Sequence, residues 1–500
     1  MDPHTAVLVC LGGALLLWMP VVSTRGARMI ALTVSIASLL CGLMGFRRLA
    51  GALAAGEPMY TSVDAAWIDL LGIRYTLGYD GISLTLVALT GIASVAGVLF
   101  SWNVKHQVKA FFSLYLLLIT GVYGVFLSFD LFLLFVFYEL AIIPKYFLIA
   151  RWGSGQRRYA AMKLALYSFV GSAMVLVVIL AVVGITGGTT MNLLELARMD
   201  YSETFQAWAF PLMFFGFAIL AGIWPFHSWA PTGHSSAPTA ASMLLAGVVM
   251  KLGAYGALRV AMTFFPEGLE QWRPLIATLG LIGILYGAGA AFVQRDFKYV
   301  IGYSSVSHMG FVVLGLATVS LVGLTGAVLQ MFSHGIIAGL LFGVVGRMIY
   351  DRAHTRELSV LEGMALARRW PFAMVVFVVA GFASMGMPGF SGFVAELQIL
   401  LGAWSTAGWM ACVGGIGIVL GAVYTLKVLN QVFFSSVPAT REVTDAEVSS
   451  EPISWPEKSG AILLMIASLV VGVYPRILLD WIVPALEAPL FSRIWEGGGL

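Results

Sequence analysis

The stretch AILAGIWPFHSWAPTGHSSAPT, residues 218–239, begins as an apolar run and is then cut by Pro225, Pro231 and Pro238. Proline removes a backbone donor and clashes with the preceding turn, so a helix entering this stretch breaks there. His227 and His234 flank the break, and imidazole takes up and releases protons near neutral pH. Inside a membrane such a break has a specific consequence. Backbone groups freed from the helix find no partner in lipid and must line a wet cavity or be satisfied by neighbouring helices.

The rest of the chain supplies that membrane setting. Of 500 residues, 60% are hydrophobic and only 11% are charged, and the mean hydropathy is +0.92. A soluble domain carries about a quarter charged residues, so this composition defines a polytopic membrane protein. A net charge of +3 without any Lys/Arg block points away from nucleic acid. Cys10, Cys41 and Cys412 lie apart in apolar runs, without the spacing of an iron–sulfur or disulfide framework. No glycine-rich phosphate loop opens a helix, and no ligand-like spacing of His, Cys, Asp or Glu suggests a metal.

A spanning helix needs about 20 apolar residues. Fourteen runs qualify, from 5–23 and 28–46 to 407–434 and 458–475, so the expected fold is all-α. The first run follows Asp2 rather than a basic cluster and is read as a span, not a leader. Lysine and arginine concentrate in alternate loops, at Arg25, Lys105, Arg151, Arg157, Arg295, Arg347, Arg356, Arg368 and Arg441 among others. The positive-inside rule then places both termini on the outer side of a bacterial cytoplasmic membrane. A second break, SMGMPGFSGFVAE with Pro388 in the gap, interrupts the span 371–403. Paired broken spans point to two inverted repeats with an ion path at the breaks. The chain then reads as one membrane domain: helices 1–3 in 1–103, a first repeat of helices 4–8 in 104–264, a second of helices 9–13 in 265–434, and helix 14 with a tail in 435–500.

Ionisable residues inside spans cost several kcal/mol and are functional candidates. Glu139 lies about 13 Å along its helix from Asp130 at the interface. Lys251 is equally central, and Glu396 follows the second break. His308 and His334 sit within spans and suit a relay, or are neutral packing residues. His227 and His234 gate the broken helix or fill its hydrogen bonds. Lys163 begins a span and either snorkels or joins the path. Lys427 extends a polar axis from Glu396, whereas Asp296 and Lys298 read as anchors of a helix start and His354 as an inert loop residue.

Six segments occur in order: LGYDGISLTLVALTGIASVAGVLFSW, FYELAIIPKYFLIARWG, HSWAPTGHSSAPTAASMLLAGVVMKLGAYGALR, DFKYVIGYSSVSHMGFVVLG, MFSHGIIAGLLFGVVG and PGFSGFVAELQIL. Over residues 77–430 the chain resembles the antiporter-like membrane subunits of respiratory complex I, NADH–quinone oxidoreductase, most closely their M type. Mrp-type cation/proton antiporter and membrane-bound hydrogenase subunits share the same core and are the alternative. The resemblance implies a proton-translocating subunit coupled to quinone reduction elsewhere in a complex. It implies no cofactor on this chain, with FMN, iron–sulfur clusters and quinone in partner subunits, and L-type and N-type antiporter-like subunits as neighbours.

The resemblance also implies that Glu139 pairs with a lysine on the broken seventh span, that Lys251 is the central lysine with His308 and His334 near it, and that Glu396 ends the relay. One position departs from this pattern. The expected lysine falls on Leu220, and nothing ionisable lies between Glu203 and His227. Lys145, where many relatives are apolar, either replaces it as the partner of Glu139 or snorkels to the interface.

Overall fold

In the computed structural model, which describes residues 2–435 and 451–497, the apolar runs are helices packed side by side. Arg441, one of the basic loop residues above, lies outside the described residues. Among the described residues, twelve helices are long and apolar enough to cross a membrane, and two shorter apolar ones, Pro3–Leu16 and Pro371–Ser384, accompany them. The first expected span, 5–23, is therefore curtailed. Its helix α1 (Pro3–Leu16) is capped by Asp2 and ends before the turn that leads into α2 (Thr24–Ala54).

The polar stretch after α2 is not simply a loop. It folds into an antiparallel hairpin, β1 (Tyr60–Ile68) and β2 (Ile73–Tyr79), with Tyr60 opposite Tyr79. The all-α expectation missed it. Alternating Tyr, Val, Thr and Ile residues favour a half-exposed strand, and Gly72 adopts the left-handed φ of +62° that the turn requires. A Cβ there would also meet the Thr189 backbone at 2.6 Å. The hairpin is fastened to the membrane helices where Asp130 accepts a hydrogen bond from the Arg74 backbone.

Beyond it run α3 (Gly81–Phe100), α4 (Val108–Leu127), α5 (Leu131–Trp152), α6 (Arg157–Thr186), the short α7 (Leu193–Arg198), and α8 (Glu203–Ala221). As the prolines dictate, α8 stops at Gly222, in left-handed conformation, and the chain resumes as α9 (Trp229–Ser236). The next span, α10 (Thr239–Phe264), is wholly buried. It contains two π-helical turns, Leu245–Val249 and Ala257–Ala261, on either side of Lys251.

A second set follows: α11 (Pro266–Val293), α12 (Phe297–Ala317) and α13 (Leu321–Ala353). The other broken span comprises α14 (Pro371–Ser384) and α15 (Ser391–Thr406), and α16 (Gly408–Phe434) comes next. The packing order repeats, with α4, α5, α6 and α8 as successive neighbours in one half and α11, α12, α13 and α15 in the other. Glycines permit the closest approaches. A Cβ on Gly171 of α6 would lie 2.6 Å from the Gly216 carbonyl of α8.

The chain closes with α17 (Trp455–Val473) and the amphipathic α18 (Arg476–Leu486), which packs on α3 and α13. A Cβ at Gly81 would run into the Trp481 carbonyl, so α18 seats directly on the start of α3.

Candidate functional site

Lys251 is fully buried. The π-turn before it carries one more residue per turn than an α-helix, a local defect frequent at functional sites. From this position the Nζ donates to the Ala246 carbonyl at 2.6 Å and lies 2.7 Å from His334 Nδ1. Two glycines make that approach possible, since a Cβ on Gly247 would stand 2.9 Å from the Gly335 carbonyl of α13.

From His334 the polar groups continue in one direction. Its ring stacks on His308 of α12, with centroids 5.3 Å apart and planes at 29°. His308 Nδ1 lies 3.2 Å from Glu396 Oε1, and its Nε2 lies 3.1 Å from Ser384 Oγ. Gln330 Nε2 lies 3.3 Å from both His308 Nδ1 and Glu396 Oε1, clamping the two together. Glu396 itself nestles into the second break. Gly386 there has φ +71°, and a Cβ on it would come within 2.7 Å of Glu396 Oε2. Four helices thus contribute to one buried row: Lys251, His334, His308 and Glu396.

At the other end of this row stands the first break. His234 is completely buried, and neither ring nitrogen has a hydrogen-bond partner. It lies under the charges of both Lys251 and Lys298. Lys298 corrects its sequence reading. Asp296 caps the start of α12 as expected, accepting from the backbone of Lys298 and Tyr299. The lysine side chain, however, turns inward and donates to the Ala237 carbonyl at 3.1 Å, where α9 ends. The freed carbonyl at the break gives the ammonium a partner that an intact helix would have withheld. His227 is also buried, with Nδ1 unpartnered and its ring against Tyr286.

Glu139 and Lys145 occupy α5, away from the row. Glu139 is half-buried, with Oε1 shielded and unpartnered. Lys145 does not snorkel to the interface. It is fully buried and donates to Ser168 Oγ at 3.2 Å. Leu220 is buried in the apolar end of α8.

Two other candidates lie outside the buried row. Lys163 is half-buried, with Nζ 6.0 Å from the Tyr159 ring centre. Lys427 is exposed and donates to the Phe292 carbonyl at 2.9 Å rather than continuing from Glu396. Its exposed position leaves the ammonium solvated, which costs less than burying it. Pro388 is likewise exposed at the break.

The structure adds two buried ionic clusters that sequence reading passed over. Arg259 of α10 pairs with Asp80, the cap of α3, at 2.6 Å, and its guanidinium is ringed by Phe129, Tyr255 and Phe491. Glu457, at the start of α17, accepts from Arg347 at 2.7 Å and Arg352 at 2.8 Å. An arginine within the unbroken apolar run 239–264 was the signal for the first.

A multi-pass helical membrane protein with two broken spans and an ionisable row between them defines a class of ion-translocating subunit folds. The chain belongs to the NADH:quinone oxidoreductase/Mrp antiporter transmembrane family, whose model matches residues 128–421. It is 37% identical to NADH-quinone oxidoreductase subunit M of Pseudomonas aeruginosa, over 95% of this chain and 94% of that one. It is 38% identical to the Escherichia coli protein of the same name, over 85% of each. Its fold matches a chain of respiratory complex I from Thermus thermophilus with TM-score 0.86 and 26% identity, covering 99% of this chain and 100% of the other. A chain of the Mrp complex from Dietzia shares the fold alone, with TM-score 0.82 and 23% identity over 99% of both.

Proposed function

We propose that this chain is the M-type antiporter-like subunit of a bacterial NADH–quinone oxidoreductase and translocates protons across the cytoplasmic membrane. Both termini face outward in this reading, L-type and N-type subunits are its neighbours, and residues 104–264 and 265–434 are the two inverted repeats. Electron transfer and its FMN, iron–sulfur clusters and quinone belong to other subunits.

The observation that carries the reading is the Lys251–His334–His308–Glu396 row. Each member lies within hydrogen-bond or ring-stacking distance of the next. Lysine at one end holds a proton, the two imidazoles each accept one and donate another, and the carboxylate receives it. Ser384 and Gln330 fix the His308 ring so that Nδ1 faces the carboxylate. His234 and Lys298 extend the path past the first break toward the basic side.

The test is proton uptake by inverted vesicles during NADH oxidation. Lys251→Met and Glu396→Gln are each expected to lower the protons moved per NADH several-fold while the complex stays assembled. Unchanged yields in both would overturn the proposal. Copurifying flavin and iron–sulfur subunits separates it from an Mrp-type antiporter, which would instead show cation-dependent proton exchange without them.

A further inference from the structure

Glu139 and Lys145 stand six residues apart on α5, about 9 Å of rise and 120° around the axis. Helical side chains lean toward the N-terminus, so the lysine stem leans back toward the turn that bears Glu139. The two groups lie within electrostatic range of each other without a direct ion-pair contact.

Helix α6 packs against α5 and presents two buried hydroxyls one turn apart. Ser168 Oγ accepts from Lys145 Nζ at 3.2 Å. Ser172 lies beside the Glu139 carboxylate, although neither Ser172 Oγ nor Glu139 Oε1 completes a hydrogen bond. Helix α8 brings no cation to this place. Its contact with α5 is the Phe217 ring against Tyr138, with centroids 5.7 Å apart, and Leu220 is buried in the next turn.

Burying an ammonium on one hydroxyl costs several kcal/mol unless a counter-charge is near. A lysine needed only for packing would be replaced by methionine at no such cost. The geometry therefore calls for a reason to keep the charge, and the half-buried carboxylate on the same helix provides one.

We propose that Glu139 and Lys145 form a proton-exchanging pair contained in one helix, its lysine held by Ser168 of α6. The inference rests on the proton-translocating reading above. The pair holds one exchangeable proton. Moving it from ammonium to carboxylate breaks one N–H bond and forms one O–H bond, and leaves a neutral amine and a neutral acid with net charge unchanged. A pair that switches between charged and neutral forms at constant net charge costs little to cycle inside a membrane.

The experiment combines two readouts on the assembled complex in inverted vesicles. The first is protons moved per NADH oxidised. The second is the initial rate at which a hydrophobic carbodiimide, which adds to protonated carboxyls, modifies Glu139, followed by peptide mass spectrometry. Lys145→Met is expected to lower the proton yield several-fold. It should also raise the labelling rate about tenfold, because the opposite charge on the same helix no longer favours the carboxylate. Lys145→Arg should leave labelling near the wild-type rate. If methionine prevents assembly, Lys145→Gln keeps a donor for Ser168, removes the charge and is expected to behave alike. Unchanged yield and labelling in the neutral variants, with yield lost in Glu139→Gln and Lys251→Met, would overturn the pair and leave the translocation reading standing. Unchanged yield in all of them would overturn that reading itself.

Discussion

Lys251 Nζ and His334 Nδ1 lie 2.7 Å apart between α10 and α13, and among the described residues no acidic side chain is paired to either. A lysine and an imidazole at that distance cannot both be charged without strong repulsion, so the contact holds at most one excess proton between two bases. Replacing His334 by Ala should therefore impair translocation about as much as Lys251→Met, several-fold in protons per NADH. A yield unaffected by His334→Ala would show that the ring only fills space.

Gly386 carries no charge, yet its substitution should reach the row. Alanine there needs φ +71° and would put a Cβ 2.7 Å from Glu396 Oε2. The left-handed conformation costs an alanine about 1–2 kcal/mol, and the carboxylate must move from His308. Gly386→Ala is expected to lower proton yield several-fold without loss of assembly, which vesicle pumping and native gel mobility would check together.

Arg259 and Asp80 tie α10 to the start of α3 under the C-terminal segment. Removing one partner of a buried pair leaves an uncompensated charge, at about 3–5 kcal/mol. Arg259→Leu should therefore destabilise the protein more than the double variant Arg259→Leu with Asp80→Leu. Thermal inactivation in detergent measures the difference, and equal losses would contradict the pairing.

Asp130, which caps α5 outside the spans, has its carboxyl pushed up to about 6 by burial, against hydrogen bonds from the Arg74 and Leu133 backbone. The folded state then binds its proton more tightly than the unfolded chain, whose value is near 3.8. Stability from this group is present below 3.8 and is lost as pH rises toward 6. Asp130→Asn keeps the cap and cannot ionise. Its melting temperature should gain on the wild type as pH rises from 4 to about 6, and stay level above that. A constant gap across that window would argue against the shift.

What was legible in the sequence follows from what is local. Glu139, Lys251 and Glu396 announced themselves because a charge in an apolar run is costly wherever the helix packs. Pro225 and Pro388 marked the two breaks because proline acts on its own backbone. Pairing is another matter. That Lys251 meets His334, or that Glu396 meets His308, depends on glycine-thin contacts between helices far apart in sequence. Lys298 was misread for the same reason: its position at a helix start was correct, but its direction is set by a carbonyl at Ala237. The hairpin Tyr60–Tyr79 escaped because hydropathy windows sized for spans pass over 7–9-residue strands.

The π-turn at Leu245–Val249 is also a phase adjuster. It absorbs one extra residue within a turn, so straightening it to ordinary α-helix with every residue kept would rotate everything after it by about 100°. Lys251 would then swing away from α13, and Arg259 away from Asp80, although every residue of the row would still be present. The facing of the row thus depends on one turn absorbing a surplus residue, and the shape of this short segment is as consequential as any change of charge.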